Sequence, residues 1–162
     1  MPAAATADTG PRALNASDLE RVIAIDRAHA GSGRRRFFEK RFAAATAHPD
    51  DFIHVGVMRG GSLRGFAFAR VLRGEFGREH VTAVLDVIGV EPVSRETGIG
   101  RSLLQELVTR LRAVGARTLH SQAEWSDPDL THFFAATGFK LAPRLALERS
   151  LATPLVEQSD ED

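Results

Sequence analysis

The most informative segment of the chain reads Arg95-Glu96-Thr97-Gly98-Ile99-Gly100-Arg101. An apolar run over 80–90 precedes it and predicts a buried strand, and an amphipathic run over 99–114 follows and predicts a helix. The first amides of a helix have no partner inside the helix, and the helix dipole places partial positive charge there. Because Gly98 and Gly100 carry no side chain, an anion can come close to the backbone. The segment therefore predicts a phosphate-binding turn between a strand and a helix.

The composition predicts one globular domain. The 162 residues contain 43% hydrophobic and 26% charged side chains, which are ordinary values for a chain long enough to bury a core. We expect a single domain over 11–151, a flexible N-terminal tail over 1–10 and an acidic C-terminal tail over 152–162. Lys and Arg together number 21, as do Asp and Glu, so the net charge favours neither a nucleic acid nor a membrane surface as partner.

The chain contains no cysteine, no signal-peptide pattern and no apolar run of about 20 residues. Without cysteine, the protein can form no disulfide, no thiolate zinc site and no cysteine nucleophile. The histidines His54, His120 and His132 lack metal-ligand spacing, so we expect no metal. These features predict a cytoplasmic protein.

Hydrophobic periodicity predicts six strands and four helices in the order β-α-α-β-β-β-α-β-α-β. A strand–helix–strand unit in the second half places the fold in the mixed α/β class. The strands are predicted over 12–14, 52–58, 63–71, 81–90, 118–123 and 143–151, and the helices over 18–30, 36–47, 99–114 and 127–137.

Two motifs carry a resemblance to a known family. The pattern Arg95-x-x-Gly98-x-Gly100, led by Ile88-Gly89-Val90-Glu91-Pro92, resembles the acyl-CoA pyrophosphate loop of the GNAT-type N-acetyltransferase superfamily. Forty residues on, the segment 133–140 is similar to that family's second motif, Leu-Tyr-x-x-x-Gly-Phe. The start of the chain, 12–20, also resembles the family's first strand and helix. The resemblance covers residues 11–151 and implies one mixed sheet with helices on both faces.

The resemblance implies an acyl-CoA-dependent N-acyltransferase, with acetyl-CoA as co-substrate and a small-molecule or peptide amine as acceptor. Transfer would be direct, in a ternary complex, and a homodimer is a family-level expectation. Asp127 stands where many relatives carry a cofactor-contacting Asn. The residues whose backbone would contact the pantetheine arm are Ile88, Gly89 and Val90, and those around the pyrophosphate are Arg95, Glu96, Thr97, Gly98, Ile99, Gly100 and Arg101.

Phe134 departs from the family pattern. Many relatives carry a Tyr there, whose hydroxyl is thought to protonate the departing thiolate, and this chain has no Tyr at all. The departure leaves a second hypothesis open, a catalytically degenerate acyl-CoA-binding sensor or assembly module of the same fold. A third is an unrelated phosphate-binding α/β protein.

Two carboxylates are candidates for the catalytic base. Asp86 is the only charge inside the apolar run 81–90, and a buried carboxylate suits a base near neutral pH. The alternative is an aspartate that pairs with an arginine or holds a bulge. Glu124, at the mouth of the next strand, is the second candidate. The cluster Arg34-Arg35-Arg36 is either a site for an acidic group or a solvated loop.

Overall fold

The computed structural model describes residues 9–152 and 154–155, so most of both predicted tails, 1–10 and 152–162, lies outside the described residues. The described part forms five strands and four helices, joined by short 3-10 turns and loops. The strands are β1 (Gly10–Ala13), β2 (Phe52–Arg59), β3 (Ser62–Arg73), β4 (Val81–Val90) and β5 (Thr118–His120), and the helices are α1 (Leu19–Ala30), α2 (Arg35–Ala47), α3 (Ile99–Ala113) and α4 (Pro128–Ala136).

The chain divides after Glu124 into two compact units. The first contains all five of these strands together with α1, α2 and α3, and the second contains α4. None of the helices in the described residues combines the length and the apolarity that a membrane crossing requires. The single domain over 11–151 stays a prediction.

The five strands form one mixed sheet in the order β1-β2-β3-β4-β5. The three strand pairs β1–β2, β2–β3 and β3–β4 are antiparallel. The pair β4–β5 is parallel and is connected through α3. Gly60 and Gly61 close the β2–β3 hairpin with φ values of 59° and 72°, a left-handed turn that favours glycine. The predicted mixed sheet with a strand–helix–strand unit is confirmed.

Helices cover both faces of this sheet. On β3, the rings of Phe66 and Phe68 lie 5.6 and 5.4 Å from the Phe38 ring of α2, and buried residues of α1 join the same cluster. Side chains alternate between the two faces of a strand. The neighbouring Gly65 faces the other way, where a Cβ would lie 2.7 Å from Cγ2 of Ile99 in α3. Thus α1 and α2 pack on one face and α3 on the other.

Two strand predictions are wrong. The strand β5 ends at His120 instead of continuing to 123, and residues 143–151 form no strand. Alternating hydrophobicity gives a strand only where a neighbour supplies the ladder hydrogen bonds, and the described part of the second unit forms only the helix α4. Pro143 also lacks an N–H to donate. The other predicted helices and strands agree with the structure to within one or two residues.

Candidate active site

The strand β4 is paired from end to end, apart from one bulge, on one side only. Its ladder with β3 runs from Val81 to Val90, whereas β5 pairs with it at Thr82–Val84 alone. Beyond Val84, no ladder forms on the β5 side within the residues that the structure describes. The second half of β4, residues 85–90, therefore presents a backbone edge that no strand covers. We call it the open edge.

One hydrogen bond fixes the direction of the peptide groups on the open edge. The N–H of Glu91 donates to the carbonyl oxygen of Arg64 in β3 at 2.8 Å. Residues of an antiparallel pair face their neighbour alternately, so the N–H and C=O groups of Val90 and Ile88 point away from β3. Between them, Gly89 lies against a buried phenylalanine, because a Cβ would come within 2.7 Å of that ring. The segment predicted to contact pantetheine thus presents donors and acceptors outward.

Asp86 is the extra residue of a β-bulge at the start of the open edge. Phe68 of β3 pairs with Val87 and the next residue, Ala69, pairs with Leu85, so Asp86 has no opposite residue on β3. A bulge bends its strand and changes the direction of the side chain. The divergence of β4 from β5 begins within two residues of this point.

Two arginines hold the Asp86 carboxylate. Arg70 Nε donates to Oδ1 and Oδ2 at 3.0 and 2.9 Å, and Arg41 Nη2 of α2 lies 3.0 Å from Oδ2. The Arg41 guanidinium also lies over the rings of Phe37 and Phe52, 5.1 and 5.6 Å from their centroids. Asp86 therefore takes both arrangements considered as the alternative to a base, an arginine pair and a bulge.

The loop after β4 is anchored at its first residue. The Glu91 carboxylate accepts hydrogen bonds from Arg21 of α1, from Arg64 of β3 and from Ser94 within the loop. These bonds, that of Arg64 first and that of Arg21 next, hold the pKa of Glu91 below its usual value. The loop therefore starts from a position fixed to both α1 and the sheet.

The predicted phosphate-binding segment forms the end of this loop and the start of α3. Glu96 and Gly98 have left-handed backbones, with φ values of 62° and 81°. Thr97 Oγ1 donates to the carbonyl oxygen of Ser94 at 2.5 Å, and no side chain caps α3 at Gly98. Left-handed residues within a turn direct successive N–H groups to one side, which creates a concavity for anions. The amides of residues 99–101 also lack acceptors inside the helix.

His29 carries no motif in the sequence, yet it reaches the open edge from the last turn of α1. Its Nε2 lies 2.6 Å from the carbonyl oxygen of Val90, and its Nδ1 lies 2.7 Å from Nη2 of Arg95. His29 thus connects the open edge with the loop. A histidine near a helix C-terminus is an ordinary favourable partner of the helix dipole, so only the tertiary structure identifies this contact.

The other predicted site residues lie near or beyond the division between the units. Glu124 is exposed and ends the first unit. Asp127 caps α4, because its Oδ1 accepts a hydrogen bond from the N–H of Leu130 at 3.0 Å. The ring of Phe134 lies 4.7 Å from that of Phe139. Within the second unit, these two residues are a cap and a packing residue.

The arginine cluster after α1 is bound by that helix. Arg34 pairs with Asp26 and Arg35 pairs with Glu20, so two of its three charges are matched by carboxylates of α1. In the described ranges, 9–152 and 154–155, no group of three or more His, Asp or Glu side chains is arranged to hold a metal ion.

Solved structures with the same fold include proteins of different names. A transcriptional regulator from Bacillus halodurans C-125 superposes with a TM-score of 0.74 at 18% identity, over 89% of this chain and 100% of its own. An aminoglycoside acetyltransferase from an uncultured soil metagenomic sample, in complex with sisomicin, gives 0.69 at 16% identity, over 86% and 93%. The aminoglycoside N-acetyltransferase AAC(6')-Iy in complex with CoA gives 0.72 at 19% identity, over 93% and 99%.

No curated protein matches the chain. The sequence model of the acetyltransferase (GNAT) family matches residues 19–139, which is 121 of the 162 residues. That range includes the bulge, the open edge and the loop that leads into α3. The chain therefore belongs to the acetyltransferase (GNAT) family.

Proposed function

We propose that the protein transfers an acyl group, in the first instance acetyl, from acyl-CoA directly to an amine. One observation carries this proposal: the open edge of β4 leads, through the loop 91–98, into the uncapped start of α3. The peptide groups of Ile88 and the N–H of Val90, whose carbonyl oxygen contacts His29, would bond the pantetheine arm as an added strand. The amides of residues 95–101 would surround the pyrophosphate. The family match and the structural neighbour in complex with CoA support this assignment.

This placement also gives the position of the acyl group. With the pyrophosphate at the start of α3, the arm runs backwards along β4, and the thioester would lie beside residues 86–88. The amine nitrogen attacks the thioester carbonyl carbon, the C–S bond breaks, and the sulfur leaves as the CoA thiolate. The chain has no cysteine to form a thioester intermediate. We expect the rate to come from orientation and from N–H groups that polarise the carbonyl.

A base must remove a proton from the ammonium form of the acceptor. Both oxygens of Asp86 already accept from guanidinium groups, so we assign it a positioning role. Glu124 is exposed, and it lies four residues after His120, where β5 ends beside Val84 of β4. Because β4 and β5 run in parallel, Glu124 follows β5 at the same end of the sheet to which the open edge leads. We propose Glu124 as the base, acting directly or through water.

The leaving thiolate needs no tyrosine. A thiol has a pKa of about 8.5, so its thiolate is a tolerable leaving group near neutral pH. Phe134 cannot donate a proton, and the Asp127 carboxylate already accepts an amide hydrogen bond. We propose that solvent protonates the sulfur after it leaves.

A charge placed at the start of α3 tests the cofactor site. Gly100→Glu puts a carboxylate where the helix dipole tolerates it but where it repels a pyrophosphate. We expect calorimetry to show acetyl-CoA binding to the native protein and at least about tenfold weaker binding to Gly100→Glu. The matched control is Gln105→Glu, which adds the same charge on an exposed position of the same helix and should bind like the native protein. Native protein that does not bind acetyl-CoA, or equal losses in both variants, would contradict the proposal.

The absence of tyrosine also favours the second candidate, an acyl-CoA-binding module without useful turnover. The two candidates differ in one measurable property, the release of CoA thiol that depends on an added amine. Binding of acetyl-CoA followed by amine-dependent release supports the enzyme, whereas binding without release for every amine supports the module.

We also propose the compartment, the metal requirement, the acceptor class and the oligomeric state of the protein. A chain without cysteine fits a reducing compartment, and we propose the cytoplasm. We also propose that it works without a metal, on a small-molecule or peptide amine, and as a homodimer. Light scattering after size-exclusion chromatography measures the oligomeric state, and addition of a chelator to the thiol-release assay tests the metal.

A further inference from the structure

The bulge of β4 concentrates positive charge beside the proposed thioester. Arg41 and Arg70 both bind Asp86, so two guanidinium groups meet one carboxylate. The Asp86 side chain is only 11% exposed, whereas that of Arg70 is 37% exposed. The cluster therefore keeps one net positive charge, and Arg70 is the member that solvent reaches most easily.

Arg70 has hydrogen-bond donors that no described residue uses. Only its Nε contacts Asp86, and its two Nη atoms form no hydrogen bond within the described residues. Arg41 is held more firmly, because its guanidinium lies over two aromatic rings and its side chain is 21% exposed. A guanidinium with two unused nitrogens presents the planar fork that matches a carboxylate. A second carboxylate could therefore bind Arg70 while Asp86 stays in place.

The cluster lies where the acceptor must approach. Asp86 precedes Ile88 by two residues, which is about 7 Å along a strand. In the proposed function, the thioester lies beside residues 86–88. An amine that attacks it therefore approaches the part of β4 where Arg70 contacts Asp86. A negative group on the acceptor would offset the excess charge at this point, whereas a polycation would be repelled.

We propose that the acceptor is a small amine that carries a carboxylate, such as an amino acid, and that Arg70 binds this carboxylate. This inference rests on the proposed function and specifies its substrate class. The similarity to aminoglycoside acetyltransferases, at 16–20% identity, is a similarity of fold. Aminoglycosides carry several positive charges and no carboxylate. The charge at the bulge of this chain selects the opposite kind of acceptor.

Matched pairs of acceptors test the inference. Thiol release from acetyl-CoA is measured with each amino acid and with its carboxamide, which keeps the amine and loses the charge. Phosphoethanolamine against ethanolamine distinguishes a phosphate from a carboxylate, and sisomicin and spermidine represent polycations. We expect at least one amino acid to be acylated with a kcat/KM about 10- to 100-fold above that of its carboxamide.

Variants then assign this preference to Arg70. Arg70→Gln should raise KM for the carboxylate acceptor about 10-fold or more and remove the preference over the carboxamide. Arg70→Lys keeps the charge but loses the fork, so it should restore part of the preference. The matched control is Arg73→Gln on the same strand, since Arg73 pairs with Asp51 and should show native kinetics. Calorimetry with acetyl-CoA should give the same affinity for all four proteins.

The outcomes separate this inference from the proposed function. Amine-dependent release with polycations, with phosphoethanolamine or with carboxamides in preference to carboxylates overturns the inference and leaves acyl transfer standing. Equal losses for charged and neutral acceptors in Arg70→Gln overturn it as well, as does acetyl-CoA binding without release by any amino acid. Native protein that does not bind acetyl-CoA overturns the proposed function itself.

Discussion

His54 is a buried histidine on β2 whose two ring nitrogens have no hydrogen-bond partner within the described residues. Its ring stacks on that of Phe68, with 3.9 Å between centroids and 13° between planes. Burial, and secondly the charge of Arg41, lowers the pKa of His54 to about 4. The imidazole is therefore neutral in the folded protein under conditions in which it would be protonated in the unfolded chain.

This histidine should make stability depend on pH. Between about pH 6.5 and pH 4, the unfolded chain binds the proton and the folded protein does not, so the free energy of unfolding falls as the pH falls. We expect a loss of about 2 kcal/mol between about pH 7.5 and pH 5, measured by urea unfolding. His54→Leu should remove that part of the pH dependence, and a substitution of the exposed His80 should not.

Asp18 affects stability only at lower pH. Burial opposes ionisation of Asp18, but hydrogen bonds from Arg12 and from the N–H of Asn15 outweigh it and place the pKa of Asp18 below its ordinary value of 3.8. Its contribution is present above that value and is lost as the pH falls through the lower, folded-state pKa. An undiminished loss between about pH 7.5 and pH 5 in His54→Leu would therefore contradict the assignment to His54.

At the scale of elements, the site depends on how the loop after β4 is attached to its neighbours. Glu91 joins this loop to α1 and β3 through Arg21 and Arg64. Neither arginine is close to Glu91 in sequence, so the sequence predicts the phosphate-binding segment but not its anchor. The glycines of the segment set its local shape, and Glu91 sets its position against the sheet.

Glu91→Gln should weaken cofactor binding without unfolding the protein. The amide keeps the size of the side chain but loses the charge that both arginines bind, so the loop becomes less well ordered before binding. We expect the dissociation constant for acetyl-CoA to rise about 3- to 10-fold in calorimetry. Glu106→Gln removes the partner of Arg110 on α3 and should leave this constant unchanged. The same constant in Glu91→Gln and in the native protein would show that the anchor has no effect on binding.

At the scale of the whole molecule, a ligand that binds only the folded state raises the melting temperature. Acetyl-CoA at 100 times its dissociation constant should add about 2.7 kcal/mol to the free energy of unfolding, which is a shift of about 5–10 °C for a chain of this size. Differential scanning fluorimetry measures this shift, with ATP at the same concentration as the control. An equal shift with ATP would show that the site does not distinguish acetyl-CoA from another phosphate compound, which would contradict the proposed cofactor site.

The features that the sequence alone could predict are those set by residues close together in the chain. A period of two or 3.6 residues predicts strands and helices, and two glycines after an apolar run predict the anion-binding turn. The two motifs of the acetyltransferase (GNAT) family are also local patterns, so the family and the mixed sheet could be predicted. Each of these features depends on neighbours within a few residues, so it can be recognised in the sequence without any knowledge of long-range contacts.

Only the tertiary structure decided what depends on distant partners. The open edge exists because β5 stops pairing after His120. Residues 143–151 form no strand, and no strand among the described residues pairs with them. Asp86, a candidate base in the sequence, is held by Arg41 and Arg70, which come from α2 and β3. The physical reason is the same in each case: a hydrogen bond or an ion pair needs two groups, and the sequence pattern around one of them does not specify the other.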